Sequence, residues 1–230
     1  MTSTIDEIVV GDEPDCWRDA GFTVDDDGTC RIGHVRVRLV GREGGKRIRD
    51  WSLRDVDPSA LTDGALDGLA TRVSDEPPCE PAVHANGALL IDHVVLATPD
   101  PGRTTAALEA AGLPARRTRA TDTYGAPMLQ TFFRAGEVII ELIGPQEPSG
   151  DGPTGFFGLA HTVEDLDATA ALLGPALGTP KDAVQPGRRI ATLRHRDLDL
   201  SVPTALMTPN PPGGAVADEP PGDGDASPTG

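Results

Sequence analysis

The sequence predicts an α+β protein in which paired β-α-β-β-β units build a curved-sheet cup, with an extra degenerate unit of the same kind at the N-terminal side. Three observations carry this reading. Segments recur in fixed order: IDEIVVGDEPD at 5–15 returns as IDHVVLATPDP at 91–101, and RIGHVRVRLVG at 31–41 returns as RAGEVIIELIG at 134–144. An Ala-Gly dipeptide, Ala20-Gly21 and Ala111-Gly112, sits between the members of each pair, where a helix would stop. A fainter copy, GLAHTVEDLDATAALLGPALG, follows at 158–178 and closes on PTALMTP at 203–209.

Each copy opens on an apolar run, continues through a capped helix and ends in β-rich segments. In the second copy the run Ile91–Ala97 is a strand, and Thr98 or Asp100 caps a helix over 102–111 that Gly112 ends. Leu129–Arg134 and Glu137–Ile143 follow as strands joined at Ala135-Gly136, a hairpin signal. The third copy reads as a strand at Phe156–Val163, a helix at 165–174 and strands near 180–184, 189–195 and 198–207. One such unit leaves a curved sheet with one raw face, so it needs another to close a core. The expected organisation is a degenerate N-terminal unit at 3–74, a proline-rich linker at 75–88, paired modules at 89–145 and 154–208, and a tail at 209–230. That tail is Pro, Gly and acid, and is expected to be disordered because it cannot offset its own ordering entropy.

Charge narrows the function. The 230 residues carry 20 Lys+Arg against 36 Asp+Glu, a net charge of −16. Such a chain repels phosphate backbones and anionic lipid, so neither nucleic acid nor membrane is an expected partner. The apolar runs fall far short of the ~20 residues a membrane span requires, and MTSTIDEIVV has no basic segment followed by an apolar one. Cys16, Cys30 and Cys79 are odd in number and show no CxxC spacing, so a reducing cytoplasm is the expected setting. Dinucleotide, P-loop, zincin and α/β-hydrolase motifs are all missing from the sequence.

Paired units that open with IDHVVLATPD and close with VIIELIGP resemble the vicinal oxygen chelate superfamily, glyoxalase-like and bleomycin-resistance-like proteins included. The resemblance covers 89–208, and extends to 3–56 as a degenerate unit with a remnant of another around Trp51–Ala70. It implies two modules around one divalent metal (Zn, Ni, Mn, Co or Fe), with a ligand from the first and the fourth strand of each module. His93 and Glu141 match in the first module, Glu141 also being the group expected to move a proton. Aligning Asp100 with Asp165 and Pro145 with Pro209 sets Gly158 and Ala205 in the corresponding places of the second module. Neither can bind a metal, so a metal-free site stays open. The resemblance implies a small-molecule ligand in the cup. A metal-assisted lyase or isomerase acting on a carbonyl or vicinal-oxygen substrate stands beside a metal-free binding protein without catalysis.

Further residues are placed by pattern. Gln130 shares a strand face with Phe132, and both are candidate ligand contacts, as are Arg119 and Tyr124 in the polar segment that follows the helix. His161 lies an odd number of residues from Gly158, so it points to the opposite face and corresponds to Leu96; a hydrogen bond to the adjacent helix is its expected role. In the N-terminal copy the ligand positions fall on Glu7 and Arg38, an acid and a base that suit an ion pair, which makes this unit a scaffold or the surface of a homodimer. Arg36 and Arg38 alternate with aliphatics as a solvated strand face, and the charged run at 188–197 reads as an exposed hairpin.

Overall fold

A computed structural model describes residues 3–122 and 125–211. The fold is α+β, with two curved sheets of six and eight strands and short helices. No helix among the described residues is long and apolar enough to cross a membrane.

The larger sheet holds the paired modules. The first contributes β7 (Ala88–Ala97), helix α2 (Pro101–Ala110), β8 (Ala115–Thr121), β9 (Met128–Ala135) and β10 (Val138–Pro145). The second contributes β11 (Gly155–Val163), α3 (Leu166–Leu173), β12 (Lys181–Asp182), β13 (Arg189–Thr192) and β14 (Thr204–Met207). Their order is β12-β13-β14-β11-β7-β10-β9-β8, so the first strand of each module meets the other at the centre, antiparallel, and each last strand runs parallel beside its own first strand. Asp100 caps α2 through Arg103 N, and Asp165 caps α3 through the amides of Asp167 and Ala168. Gly112 ends α2 at φ +81°, a conformation that L side chains rarely adopt. The third-copy strands are shorter than the sequence suggests: a 3-10 turn at His195–Leu198 and Asp199 at φ +56° interrupt the chain before β14.

The N-terminal region contains β1 (Thr4–Val10), α1 (Pro14–Asp19), β2 (Thr29–Ile32), β3 (Val35–Leu39), β4 (Ile48–Arg54), β5 (Ala65–Leu66) and β6 (Leu69–Val73). Its order, β2-β3-β1-β4-β6-β5, mirrors the central six strands of the larger sheet. Here the structure differs from a single degenerate unit. Strand β4 pairs antiparallel with β1 and parallel with β6, as a module's first strand does, and a 3-10 turn at Pro58–Ala60 stands where a helix would be. Residues 3–74 thus hold two truncated units, and the remnant around Trp51–Ala70 is the second of them.

The inner faces of both sheets share one core. Trp51 of β4 meets Phe156 of β11 edge-on at 5.2 Å, and Trp17 and Phe22 pack on His161 at 6.4 and 5.2 Å. The segment between β6 and β7 has no helix or strand, yet it is tied down: the carbonyls of Glu76, Pro77 and Glu80 accept hydrogen bonds from Arg54, Arg36 and Arg31 at 2.6, 3.0 and 2.8 Å.

Candidate functional site

Strand alternation divides the first module into two faces. Val94, Leu96, Ile140 and Leu142 enter the core with Leu108 of α2. The alternate residues form the opposite face, the cup. Register sets Ile139 beside His93 and Glu141 beside Val95, then Phe132 opposite Glu141 and Gln130 opposite Ile143, with Arg119 opposite Gln130 on the sheet-edge strand β8. His93, Glu141, Gln130, Phe132 and Arg119 therefore share one face.

Their side chains form a line of contacts. His93 Nε2 lies 3.5 Å from Glu141 Oε2. The Gln130 amide donates to Glu141 Oε1 at 2.6 Å, while its own Oε1 accepts from Arg119 Nε at 2.7 Å. The Arg119 guanidinium stands over the Phe132 ring, 5.4 Å from its centroid. The line runs across otherwise apolar ground, since Val95, Phe132, Ile139 and Ile143 are all buried. Tyr124 lies outside the described residues. Arg119 lies on strand β8, which runs from Ala115 to Thr121.

Behind His93 is a device the sequence reading missed. Ala160 pairs with His93 and His161 with Ile91, which leaves Asp92 as the extra residue of a β-bulge. Asp92 receives His93 Nδ1 at 3.1 Å, the Thr162 hydroxyl at 2.8 Å and Arg188 Nη2 at 2.5 Å. Burial opposes the Asp92 charge, but hydrogen bonds from His93 and Arg188 outweigh it and hold the carboxyl well below the usual carboxylate range. With Nδ1 turned to Asp92, Nε2 is the ring nitrogen that faces Glu141. Arg188 corrects the exposed-hairpin reading of 188–197: it is 2% exposed and also donates to the Thr208 carbonyl and the Gln185 side chain. A signal for Asp92 was present, because the Ile-Asp pair recurs as Ile5-Asp6 and Ile91-Asp92. Arg188 had none, lying in a run that is charged throughout.

The second module supports the pair through Thr162 and Arg188 on Asp92, but brings no donor of its own at the corresponding positions. Ala205 lies beside Ala160 in β14 and β11 as Glu141 lies beside Val95 in β10 and β7, which equates Glu141 with Ala205 and His93 with Gly158. His161 faces the core, as its odd offset predicted, but the expected hydrogen bond to a helix is missing. Both ring nitrogens are fully buried without a partner, and burial pushes the imidazole down to about 3. Among the described residues no three His, Cys, Asp or Glu side chains are grouped to hold a metal. A catalytic metal takes three protein ligands and an open position. Here only two donors converge, one of them already engaged by Gln130, and the pseudo-symmetric positions are Gly158 and Ala205. This donor set does not fit a resident metal.

The N-terminal sheet repeats the layout with other residues. Glu7 and Arg38 occupy the positions of His93 and Glu141 and form an ion pair at 2.7 Å. Arg36, expected on a solvated face, is instead ion-paired with the buried Asp6, the bulge residue of β1.

Central first strands, parallel last strands and a polar pair between them make this a paired-module, curved-sheet fold. Residues 92–191 match the family described as the Glyoxalase/Bleomycin resistance protein/Dioxygenase superfamily. Among solved structures, a triply substituted 4-hydroxymandelate synthase from Streptomyces coelicolor is similar over 90% of this chain and 92% of its own, at 14% identity and a TM-score of 0.59. A 2,2',3-trihydroxybiphenyl 1,2-dioxygenase from Sphingomonas wittichii strain RW1 is similar over 91% of both chains, at 12% identity and a TM-score of 0.55. Catechol 2,3-dioxygenase covers 94% of this chain and 89% of its own, at 12% identity and a TM-score of 0.54. At such identities the likeness is one of fold. No curated protein sequence matches significantly.

Proposed function

We propose that this protein recognises a small molecule on the cup face of the C-terminal sheet, against the His93–Glu141 pair and without a resident metal. The observation that carries the reading is the unbroken polar line Arg119–Gln130–Glu141–His93–Asp92 across buried apolar ground. Burying these groups is costly unless they are paired, and a face required only for stability would be more simply filled with aliphatic residues. The absence of any donor at Gly158 and Ala205 sets the metal aside.

The test is a binding screen of metabolites and drug-like molecules by thermal shift, run with and without a chelator. Stabilisation that survives chelation and is lost in His93→Ala and Glu141→Gln supports the reading. Near-stoichiometric divalent metal by mass spectrometry, lost in His93→Ala, would replace it with a metal-assisted one.

A second reading, a lyase or isomerase that moves a proton next to a carbonyl, is favoured by one observation. Asp92 orients the imidazole so that Nε2 and a Glu141 oxygen converge, which is a place where a proton can be held and returned. Deuterium entering a bound carbon acid from solvent, and failing to enter in Glu141→Gln, would promote this reading over plain binding.

A further inference from the structure

We infer that the ligand of the cup face carries a carboxylate, received by the guanidinium of Arg119. The inference rests on the cup-face reading above and gives that ligand a chemical class.

Arg119 differs from the arginines that this structure ion-pairs: it is held by an amide and an aromatic ring instead of a carboxylate. In a chain of net charge −16, Arg36, Arg38, Arg54, Arg72, Arg103 and Arg188 each meet an aspartate or glutamate. Arg119 meets none. It is half-buried; Gln130 holds its Nε, and Phe132 lies beneath its plane. Those two contacts fix both the tilt and the heading of the guanidinium. Nη1 and Nη2 have no hydrogen-bond partner among the described residues. A planar fork held at one edge and open at the other is the geometry that takes a carboxylate with two parallel hydrogen bonds.

Gln130 makes the arrangement specific. Its carbonyl oxygen faces the arginine and its amide faces Glu141, so one glutamine separates a guanidinium from a carboxylate that could otherwise have paired directly. A direct pair would satisfy both charges and close the fork. The interposed amide keeps the fork available and fixes its position relative to the His93–Glu141 pair. A small acid seated on Arg119 would then extend along Gln130 toward that pair. Arg117, exposed on the same strand and on the same face, adds positive potential at the entrance.

The experiment is nuclear magnetic resonance of the full chain, following arginine Nε–H, glutamine side-chain amide and histidine ring signals. Acetate, pyruvate and benzoate are titrated to millimolar concentration beside acetamide, benzamide and inorganic phosphate. The expected result is that the acids shift the Arg119 and Gln130 signals and the amides do not. Arg119→Met should weaken acid binding about ten- to hundredfold, as losing a charge-assisted pair does, and Arg119→Lys should restore only part of it because a point charge lacks the fork. If amides bind as well as acids, unaffected by Arg119→Met but lost in His93→Ala, the carboxylate inference falls and the cup-face reading stands. Phosphate binding through Arg119 without any response to the acids overturns the assigned class. If no probe moves any signal of the face, both readings fall.

Discussion

The two sheets place different chemistry on the same scaffold. In each, the first strand opens with Ile-Asp, and the Asp is the extra residue of a bulge: Asp6 between the pairs Ile5–Leu53 and Glu7–Ser52, and Asp92 between Ile91–His161 and His93–Ala160. Both carboxylates are buried and held by arginine. The next residue of each strand faces away from the core, and there the sheets part. Glu7 closes onto Arg38 and Arg72, a self-satisfied set of charges, whereas His93 meets Glu141 and continues through Gln130 to Arg119. The bulge carboxylate is thus common to both sheets, and the residue after it is where their chemistry diverges.

The largest test of that division is to break the bulge pairs. Arg188→Ala leaves Asp92 buried without its countercharge, and should cost about 3–5 kcal/mol in denaturant unfolding. Arg54→Ala should cost only about 1–2 kcal/mol, because Asp6 retains Arg36 and the hydroxyls of Ser52 and Ser74. Equal losses would mean that the two bulges are not supported in the different ways the structure gives them.

A smaller effect, of opposite sign, is expected at His161. Its counterpart in the first module is Leu96, fully buried, and the imidazole in its place makes no hydrogen bond. His161→Leu should stabilise the protein by about 1–3 kcal/mol by removing an unsatisfied polar group. The pH dependence has a definite sign. The ring is held at about 3 when folded, against an ordinary 6.5, so the unfolded chain binds the extra proton. The stability of the neutral ring is complete above pH 6.5 and is lost as pH falls from there toward 3. His84, which burial also depresses, loses stability in the same direction. Unfolding followed between pH 7 and 4 should therefore be less acid-sensitive in His161→Leu but not independent of pH. An unchanged acid profile would show that the ring has a partner after all.

These two residues mark where sequence reading stops. The repeats were legible because hydrophobic pattern and the Ala-Gly helix stops survive in each copy; Gly21 and Gly112 both take φ near +80°. His93 and Glu141 were placed by the family resemblance, Glu7 and Arg38 by aligning the N-terminal copy with them, and Gln130 and Phe132 by strand alternation. Alternation says which face a side chain takes, but not what it meets there. Arg188 looked exposed because its neighbours are charged, yet the turn before β13 folds it onto Asp92 from the other module. The second N-terminal unit was faint because its helix had shrunk to the turn at Pro58–Ala60 and its hairpin to the short β5 and β6. The empty positions at Gly158 and Ala205 were legible from alignment, whereas the Asp92 support behind His93 depended on a register shift that no periodicity encodes.

The finest test moves the pair itself. Glu7→His with Arg38→Glu would write the C-terminal pair into the N-terminal sheet, on the same two strands and in the same register. Stability should fall by about 1–2 kcal/mol, because Glu7 is buried and its loss also removes a partner from Arg72. No binding of the cup-face ligand should appear at the new pair, because its surroundings differ. Thr29 pairs with Arg38 as Phe132 pairs with Glu141, and β2 is the edge of its sheet, so no outer strand supplies an equivalent of Arg119. Titration of the double variant against the parent, read at the N-terminal histidine, separates two ideas of the site. If ligand signals appear there, the pair alone suffices and Arg119 and Gln130 are ornament. If none appear, recognition is a property of the line that reaches β8, and the truncation of the N-terminal units, by removing the strand that would have carried their arginine, is what left that sheet a scaffold.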